Sequence, residues 1–166
     1  MTVPESLAFR AVDEAALGAI ATRLAASVPG GGVIHLRGEL GAGKTTFARA
    51  LLAALGVGAR IKSPTYSLIE SYSVRDLAVH HLDLYRIADP GELEWLGLAD
   101  LTDGPHLLLV EWPERAARAL PQPDLVLQLS HAGSVRDAVF SPGSPRGAKW
   151  LEQLRGWASS ARIALA

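Results

Sequence analysis

The octet Gly38-Glu39-Leu40-Gly41-Ala42-Gly43-Lys44-Thr45 satisfies the spacing G-x-x-x-x-G-K-[ST]. Its glycines let successive backbone N–H groups turn into one concavity that takes phosphate oxygens. A helix starting there adds its positive end. The lysine would reach the β- and γ-phosphates of a nucleotide, and the Thr45 hydroxyl a Mg²⁺. Only three of the sixteen basic residues are lysine, at 44, 62 and 149. In a chain that otherwise uses arginine, a compact ammonium at 44 is a choice of shape, since a planar guanidinium does not suit the loop. Such a site also needs an acid at a strand end to hold the metal or its waters. Glu111 follows the apolar run Leu107–Val110, and Asp83 lies within His81-Leu82-Asp83-Leu84-Tyr85-Arg86. The competing reading of each is a solvated loop acid or a helix cap. Thr65, after Ser63-Pro64, reads on its own as a turn residue rather than a phosphate sensor. His80 and His81 read as structural, one on each side of a strand. Tyr85 and Trp112 suit a partner surface or the core equally.

The elements that would position these residues follow from pattern. Ser6–Val12 reads as a strand. Asp13 and Glu14 then open a helix whose apolar residues are Leu17, Ile20, Leu24 and Val28, and Pro29-Gly30-Gly31-Gly32 ends it. Val33–Arg37 is a strand leading into the glycine loop, and Phe47, Leu51, Leu52 and Leu55 mark the helix after it, up to Gly56. Ser63-Pro64-Thr65 is a loop, because the residue before proline avoids the α region. Tyr66–Val74 and Leu77–Leu84 are strands that would form a hairpin around Arg75-Asp76. Pro90–Leu101 is helical. Leu107–Val110 is a strand buried on both faces. Pro113 starts a helix that Pro121 ends. Leu125, Leu127 and Leu129 mark another strand, and Ala138–Phe140 a last edge strand. Pro142, Gly143, Pro145 and Gly147 read as a hinge before a tail helix from Ala148 to about Ala166, carrying Trp150, Leu154 and Trp157 on one stripe. The alternation of strands and helices gives an α/β class with a mainly parallel sheet. The expected division is a single nucleotide-binding domain over 1–141 and a tail over 142–166.

The chain has 166 residues, 49% hydrophobic and 20% charged, with a formal net charge of −1. That is enough for one self-sufficient core. It supplies no global field that would draw the chain onto nucleic acid or an acidic membrane. With no cysteine, disulfides, Fe–S clusters and thiolate zinc sites are excluded. The five histidines, at 35, 80, 81, 106 and 131, do not form a metal-ligand set of the HExxH kind. Glu5 and Asp13 interrupt the N-terminal stretch, and no apolar run approaches a membrane span. A cytoplasmic protein without membrane contact is the expectation.

Taken together, the glycine octet with Thr46-Phe47, then Lys62-Ser63-Pro64-Thr65-Tyr66, His81–Arg86, Glu92-Leu93 with Leu96-Gly97-Leu98, and Val110-Glu111-Trp112-Pro113 resemble the TsaE (YjeE) family of bacterial ATPases. Order and spacing agree over roughly residues 5–140. The phosphate loop alone is unspecific, but its combination with Ser-Pro-Thr-Tyr, Asp-x-Tyr-Arg and Glu-Trp-Pro is not. The resemblance implies a P-loop NTPase fold with a mixed sheet flanked by helices, ATP and Mg²⁺ as cofactors, and a nucleotide held by residues 38–46. It implies Thr45 and Glu111 at the metal, and Asp83 and Lys44 at the γ-phosphate. It also makes Ser63–Tyr66 a switch loop, which reverses the turn reading of Thr65. Asp13, Glu14 and Leu17 become candidates near the adenine, and Arg136 a late arginine near the nucleotide. Leu17 stands where the family often has threonine, and Ala21 where it often has glycine. The family is needed to make threonylcarbamoyladenosine at position 37 of tRNAs that read ANN codons. The implied partners are TsaD and TsaB, with tRNA reached indirectly through their complex.

Three functions compete. One is an ATPase that drives or resets the TsaD–TsaB complex, slow alone and stimulated by its partner. Another is a small-molecule kinase, for which Arg115 and Arg118 would serve as an arginine-bearing lid. The last is a nucleotide-binding scaffold without turnover, against which Asp83 and Glu111 argue. Arg86, three residues after Asp83, is expected to point away from the phosphates, and Ser63–Tyr66 holds no glutamine to orient a water.

Overall fold

The computed structural model describes residues 5–64 and 67–161, with Ala59 described by its backbone alone. Thr65 and Tyr66, and the end of the expected tail helix at 162–166, lie outside the described residues. The chain runs β1 (Leu7–Val12), α1 (Glu14–Ala25), β2 (Gly32–Gly38), α2 (Lys44–Leu55), a 3-10 turn (Gly58–Arg60), β3 (Ile69–Val74) and β4 (Leu77–Asp83). It continues through α3 (Glu92–Trp95), α4 (Leu98–Leu101), β5 (His106–Glu111), a 3-10 segment (Pro113–Ala119), β6 (Leu125–Ala132), β7 (Val135–Pro142) and α5 (Pro145–Ser160).

The strands form one seven-stranded sheet in the order β1-β7-β6-β2-β5-β4-β3. Parallel pairs β6–β2, β2–β5 and β5–β4 make its centre. Antiparallel pairs β1–β7, β7–β6 and β4–β3 extend it on both sides. The sheet is therefore more evenly mixed than a mainly parallel one. In β5, Leu107, Leu108, Leu109 and Val110 are fully buried, because helices cover both faces of the parallel centre. Alternate residues then separate into two cores. Leu107 and Leu109 join the larger, under α1, α2 and α5. Leu108 and Val110 join the smaller, with Leu93 of α3, Leu98 of α4 and Leu120. In the larger core Phe140 sits between Phe9 and Phe47, with ring centroids 6.0 and 6.1 Å away.

Four local expectations change. β7 is an interior strand: Leu7 pairs with Phe140 and Phe9 with Ala138, so β1 and β3 are the edges. Pro90–Leu101 is two short helices, because Gly97 adopts a left-handed backbone (φ +71°) and restarts the helix after itself. The segment after Pro113 is 3-10, with non-helical Ala116 inside it. Pro142–Gly147, read as a hinge, is tied down at several points. β7 runs through Pro142, and the Gly143 amide donates to the Asp124 carbonyl at 2.8 Å. Ser144 caps α5, accepting from the Gly147 amide at 3.2 Å and donating to the Asp124 carboxylate at 2.6 Å. α5 buries Trp150, Leu151, Leu154 and Ala158 in the larger core.

Candidate functional site

The site lies where β2, β4 and β5 end together against the N-terminus of α2. Gly38 closes β2 with a left-handed backbone (φ +148°), and a Cβ there would come within 2.6 Å of the Leu129 carbonyl oxygen. Only glycine lets the loop leave the sheet so close to β6. Gly43 (φ +110°) opens α2, which has no side-chain cap and no acid in its first turn. Its leading N–H groups are thus left to an anion. Lys44 is buried, and its Nζ donates to the Gly38 and Glu39 carbonyls at 2.5 and 2.8 Å. The same ammonium lies 4.1 Å from the centre of the Trp112 ring, a cation–π contact. Burial lowers the Lys44 pKa from its usual value, while Glu111, Glu114 and Asp83 pull it upward.

Glu111 ends β5 with its carboxylate almost wholly buried. One oxygen accepts from the Thr45 hydroxyl at 2.7 Å, and the other lies 2.6 Å from His81 Nε2. Asp83 ends β4 directly opposite Glu111 in the parallel register. Its carboxylate accepts from the Tyr85 amide at 3.0 Å. Burial, reinforced by the Glu111 charge, raises the Asp83 pKa; the Tyr85 amide, His81 and Lys44 oppose that rise. A carboxylate tuned upward is the better proton acceptor.

A cavity of about 470 Å³ opens over this corner, with Glu14, Lys44, Thr45, Asp83, Glu111 and Arg136 among its walls. That volume lies within the range that small-ligand sites occupy. Leu40, Gly41, Gly43 and Thr46 complete the loop side of the wall. Glu39 contributes its carbonyl to Lys44, and Ala42 is buried beneath the loop. Arg136 reaches over from β7 and donates to the Ala42 carbonyl at 3.0 Å; a Cβ on Gly43 would collide with its guanidinium. Leu17 is fully buried in the larger core, packed under Gly43 rather than facing the cavity. Asp13 caps α1, accepting from the Ala16 amide at 2.8 Å. Thr65 lies outside the described residues, so the expected switch residue has no placement.

Pattern alone missed three participants. His81 is fully buried, as a structural histidine would be, and it also touches Glu111; its position two residues before Asp83 puts both on one face of β4. Trp112 packs against the smaller core and takes a left-handed backbone (φ +59°) that also lays its ring beneath Lys44. Arg86, expected to point away, lines the cavity with Tyr85.

The donors suit a hard divalent cation. Thr45 and Glu111 offer a hydroxyl and a carboxylate side by side, and no group of three or more His, Asp or Glu side chains able to hold a metal occurs among the described residues. Mg²⁺ is commonly held this way, by one or two protein oxygens with phosphates and water completing the shell. No helix among the described residues is long and apolar enough to cross a membrane.

A family model described as "Threonylcarbamoyl adenosine biosynthesis protein TsaE" matches residues 11–138. The tRNA threonylcarbamoyladenosine biosynthesis protein TsaE of Bacillus subtilis is 36% identical over 151 residues, which span 90% of this chain and 94% of that protein. The Haemophilus influenzae protein of the same name is 39% identical over 105 residues, 63% of this chain and 66% of that one. The crystal structure of Bacillus subtilis YdiB superposes with a TM-score of 0.76 at 32% identity, covering 95% of this chain and 98% of that one.

Proposed function

The chain belongs to the TsaE family of threonylcarbamoyl adenosine biosynthesis proteins, and on that premise we propose that it binds ATP with Mg²⁺ at the glycine loop and hydrolyses it to ADP and phosphate. In this reading it works in the cytoplasm on the TsaD–TsaB complex that forms threonylcarbamoyladenosine at position 37 of ANN-decoding tRNAs. It touches tRNA only through that complex. The observation that carries the reading is the pairing of Thr45, next to Lys44 in the chain, with buried Glu111 at 2.7 Å, opposite Asp83.

Each residue then has a task. The α2 N–H groups and the loop amides hold phosphate oxygens. Lys44 exchanges the Gly38 and Glu39 carbonyls for the β- and γ-phosphates. Thr45 and Glu111 hold Mg²⁺, which when bound neutralises phosphate charge and aligns the β and γ groups. Asp83 orients the attacking water and accepts its proton. Glu14 and Arg136, which also line the cavity, border the nucleoside. The kinase alternative is less well supported. Arg115 stacks 5.5 Å from the Tyr85 ring and 5.8 Å from Trp112, and is not among the residues lining the cavity.

The test is product analysis with Lys44→Ala beside the parent chain. The parent is expected to release phosphate and ADP from ATP with no phosphorylated acceptor. The variant should bind the nucleotide at least tenfold more weakly, the worth of roughly 1.5–3 kcal/mol for a charge-assisted hydrogen bond, and release no phosphate. Unchanged affinity and turnover in Lys44→Ala would refute the site.

A further inference from the structure

Glu111 has two carboxylate oxygens, and each is spoken for by a different side chain: Thr45 holds one at 2.7 Å and His81 the other at 2.6 Å. The second contact is a product of the sheet. In the parallel β4–β5 register His81 pairs with Leu109 and Asp83 with Glu111, so His81 and Glu111 are diagonal neighbours on one face. That is within the reach of long side chains. The face is the one covered by α2, whose first turn carries Thr45. His81 is fully buried and Glu111 nearly so. A buried carboxylate oxygen is an acceptor, so the ring must present Nε2–H to it. Nδ1 meets no hydrogen-bond partner among the described residues. The imidazole therefore makes one polar contact, and that contact is with the proposed Mg²⁺ ligand. Its neighbour His80 shows the contrast: both of its nitrogens are used structurally, on Ser71 Oγ at 2.8 Å and the Leu101 carbonyl at 2.9 Å.

We propose that His81 is a positioning residue for the metal: it fixes the rotamer of Glu111 so that the opposite oxygen stays on Thr45 and the pair is set for Mg²⁺ before the nucleotide arrives. This rests on the reading of Thr45 and Glu111 as the Mg²⁺ holders. Without the Nε2–H anchor the carboxylate would rotate about its own χ angles, and the metal would have to order it on binding. Outer-shell partners of metal ligands typically contribute about 10- to 100-fold in metal affinity.

The experiment uses the full chain with three substitutions. His81→Gln carries an amide N–H to nearly the same place as Nε2. His81→Asn ends short of Glu111, near the Nδ1 position. His81→Leu keeps bulk and loses the donor. A fluorescent ATP analogue is titrated in EDTA and then across Mg²⁺ concentrations, and Mn²⁺ binding is followed by electron paramagnetic resonance. The Mg²⁺ half-saturation should rise about 10- to 100-fold in His81→Leu and His81→Asn. His81→Gln should restore it to within about threefold of the parent. Affinity in EDTA should stay within twofold throughout. A merely structural histidine would instead give equal Mg²⁺ dependence in all variants that fold, or leave His81→Gln no better than His81→Asn; either result overturns the proposal. The Gln and Asn comparison remains decisive if His81→Leu does not fold. Failure of the underlying reading looks different: the parent itself would show no Mg²⁺ dependence of nucleotide binding.

Discussion

At the scale of single residues, Asp83 and Glu111 stand opposite each other at adjacent strand ends in different surroundings, and in the proposed reading they divide the chemistry. Glu111 is buried and bonded on both oxygens, the arrangement of a ligand held still. Asp83 is half-buried with its pKa raised by burial and by Glu111, the arrangement of a group that takes a proton. Glu111→Gln should therefore raise the Mg²⁺ concentration needed for nucleotide binding while retaining turnover at saturating metal. Asp83→Asn should leave binding within about twofold and lower the phosphate release rate by about 10²- to 10⁴-fold, the usual worth of a positioned base. Titration of nucleotide and metal, followed by steady-state phosphate release, measures both. The reverse pattern would exchange the two roles. Both acids were legible from sequence because each follows an apolar strand, and strand ends are where such sites form. His81, Trp112 and Arg86 were not legible, for separate reasons. The first needs the β4–β5 register, the second a left-handed backbone, and the third the direction the chain takes on leaving β4.

At the scale of elements, β2 carries a cost beside its function. His35 lies in the parallel centre, paired with Val110 and Val126. Neither of its ring nitrogens has a hydrogen-bond partner among the described residues. Burial, aided by Arg37, lowers its pKa to about 4, and the Pro121 carbonyl favours the proton without forming a well-aligned bond. The unfolded chain titrates this group near 6.5 and so binds more protons than the folded chain between pH 4 and 6.5. Stability should accordingly climb with pH through that window and level off above it, by on the order of 3 kcal/mol across the full range. His35→Leu should flatten that part of the slope and add about 1 kcal/mol near pH 7, by removing an unsatisfied buried polar group. Urea unfolding of both chains at pH 5 and 7.5 checks it; parallel slopes would exclude His35 as the source. The same scale explains the misread elements. Periodicity over Pro90–Leu101 was sound, but Gly97 at φ +71° divides it. The proline and glycine run 142–147 resembled a hinge because Asp124, which fastens it, lies on the far side of β6 and β7 in sequence. Local pattern reports torsions and faces; it does not report which distant group completes a cap.

For the whole molecule, the proposed reaction depends on what brings charge and water onto the phosphates. Lys44 is assigned to holding the bound phosphates, and Arg136 is held by the Ala42 carbonyl. Arg86 stands exposed at the cavity wall. No glutamine in Ser63–Tyr66 orients a water. Holding phosphates and accelerating their transfer are different tasks, and a catalytic cation not brought onto the transferring phosphate costs about 10³- to 10⁵-fold. The chain by itself should therefore release phosphate slowly and speed up with the TsaD–TsaB complex, which would close the segment around Ser63 onto the phosphates. Steady-state release at saturating ATP, with and without that complex, tests this; fast turnover unaltered by the complex would refute it. The strand order has a further consequence, for how the protein is made. β1 precedes every other element in sequence, but among the described residues its only neighbour in the sheet is β7, the last strand. During translation β1 must wait, unpaired, until β7 has been made. A product that stops short of β7 leaves β1 alone and β6 with a bare edge, the kind of surface that recruits other chains. Premature termination therefore yields an aggregation-prone fragment rather than a smaller folded protein.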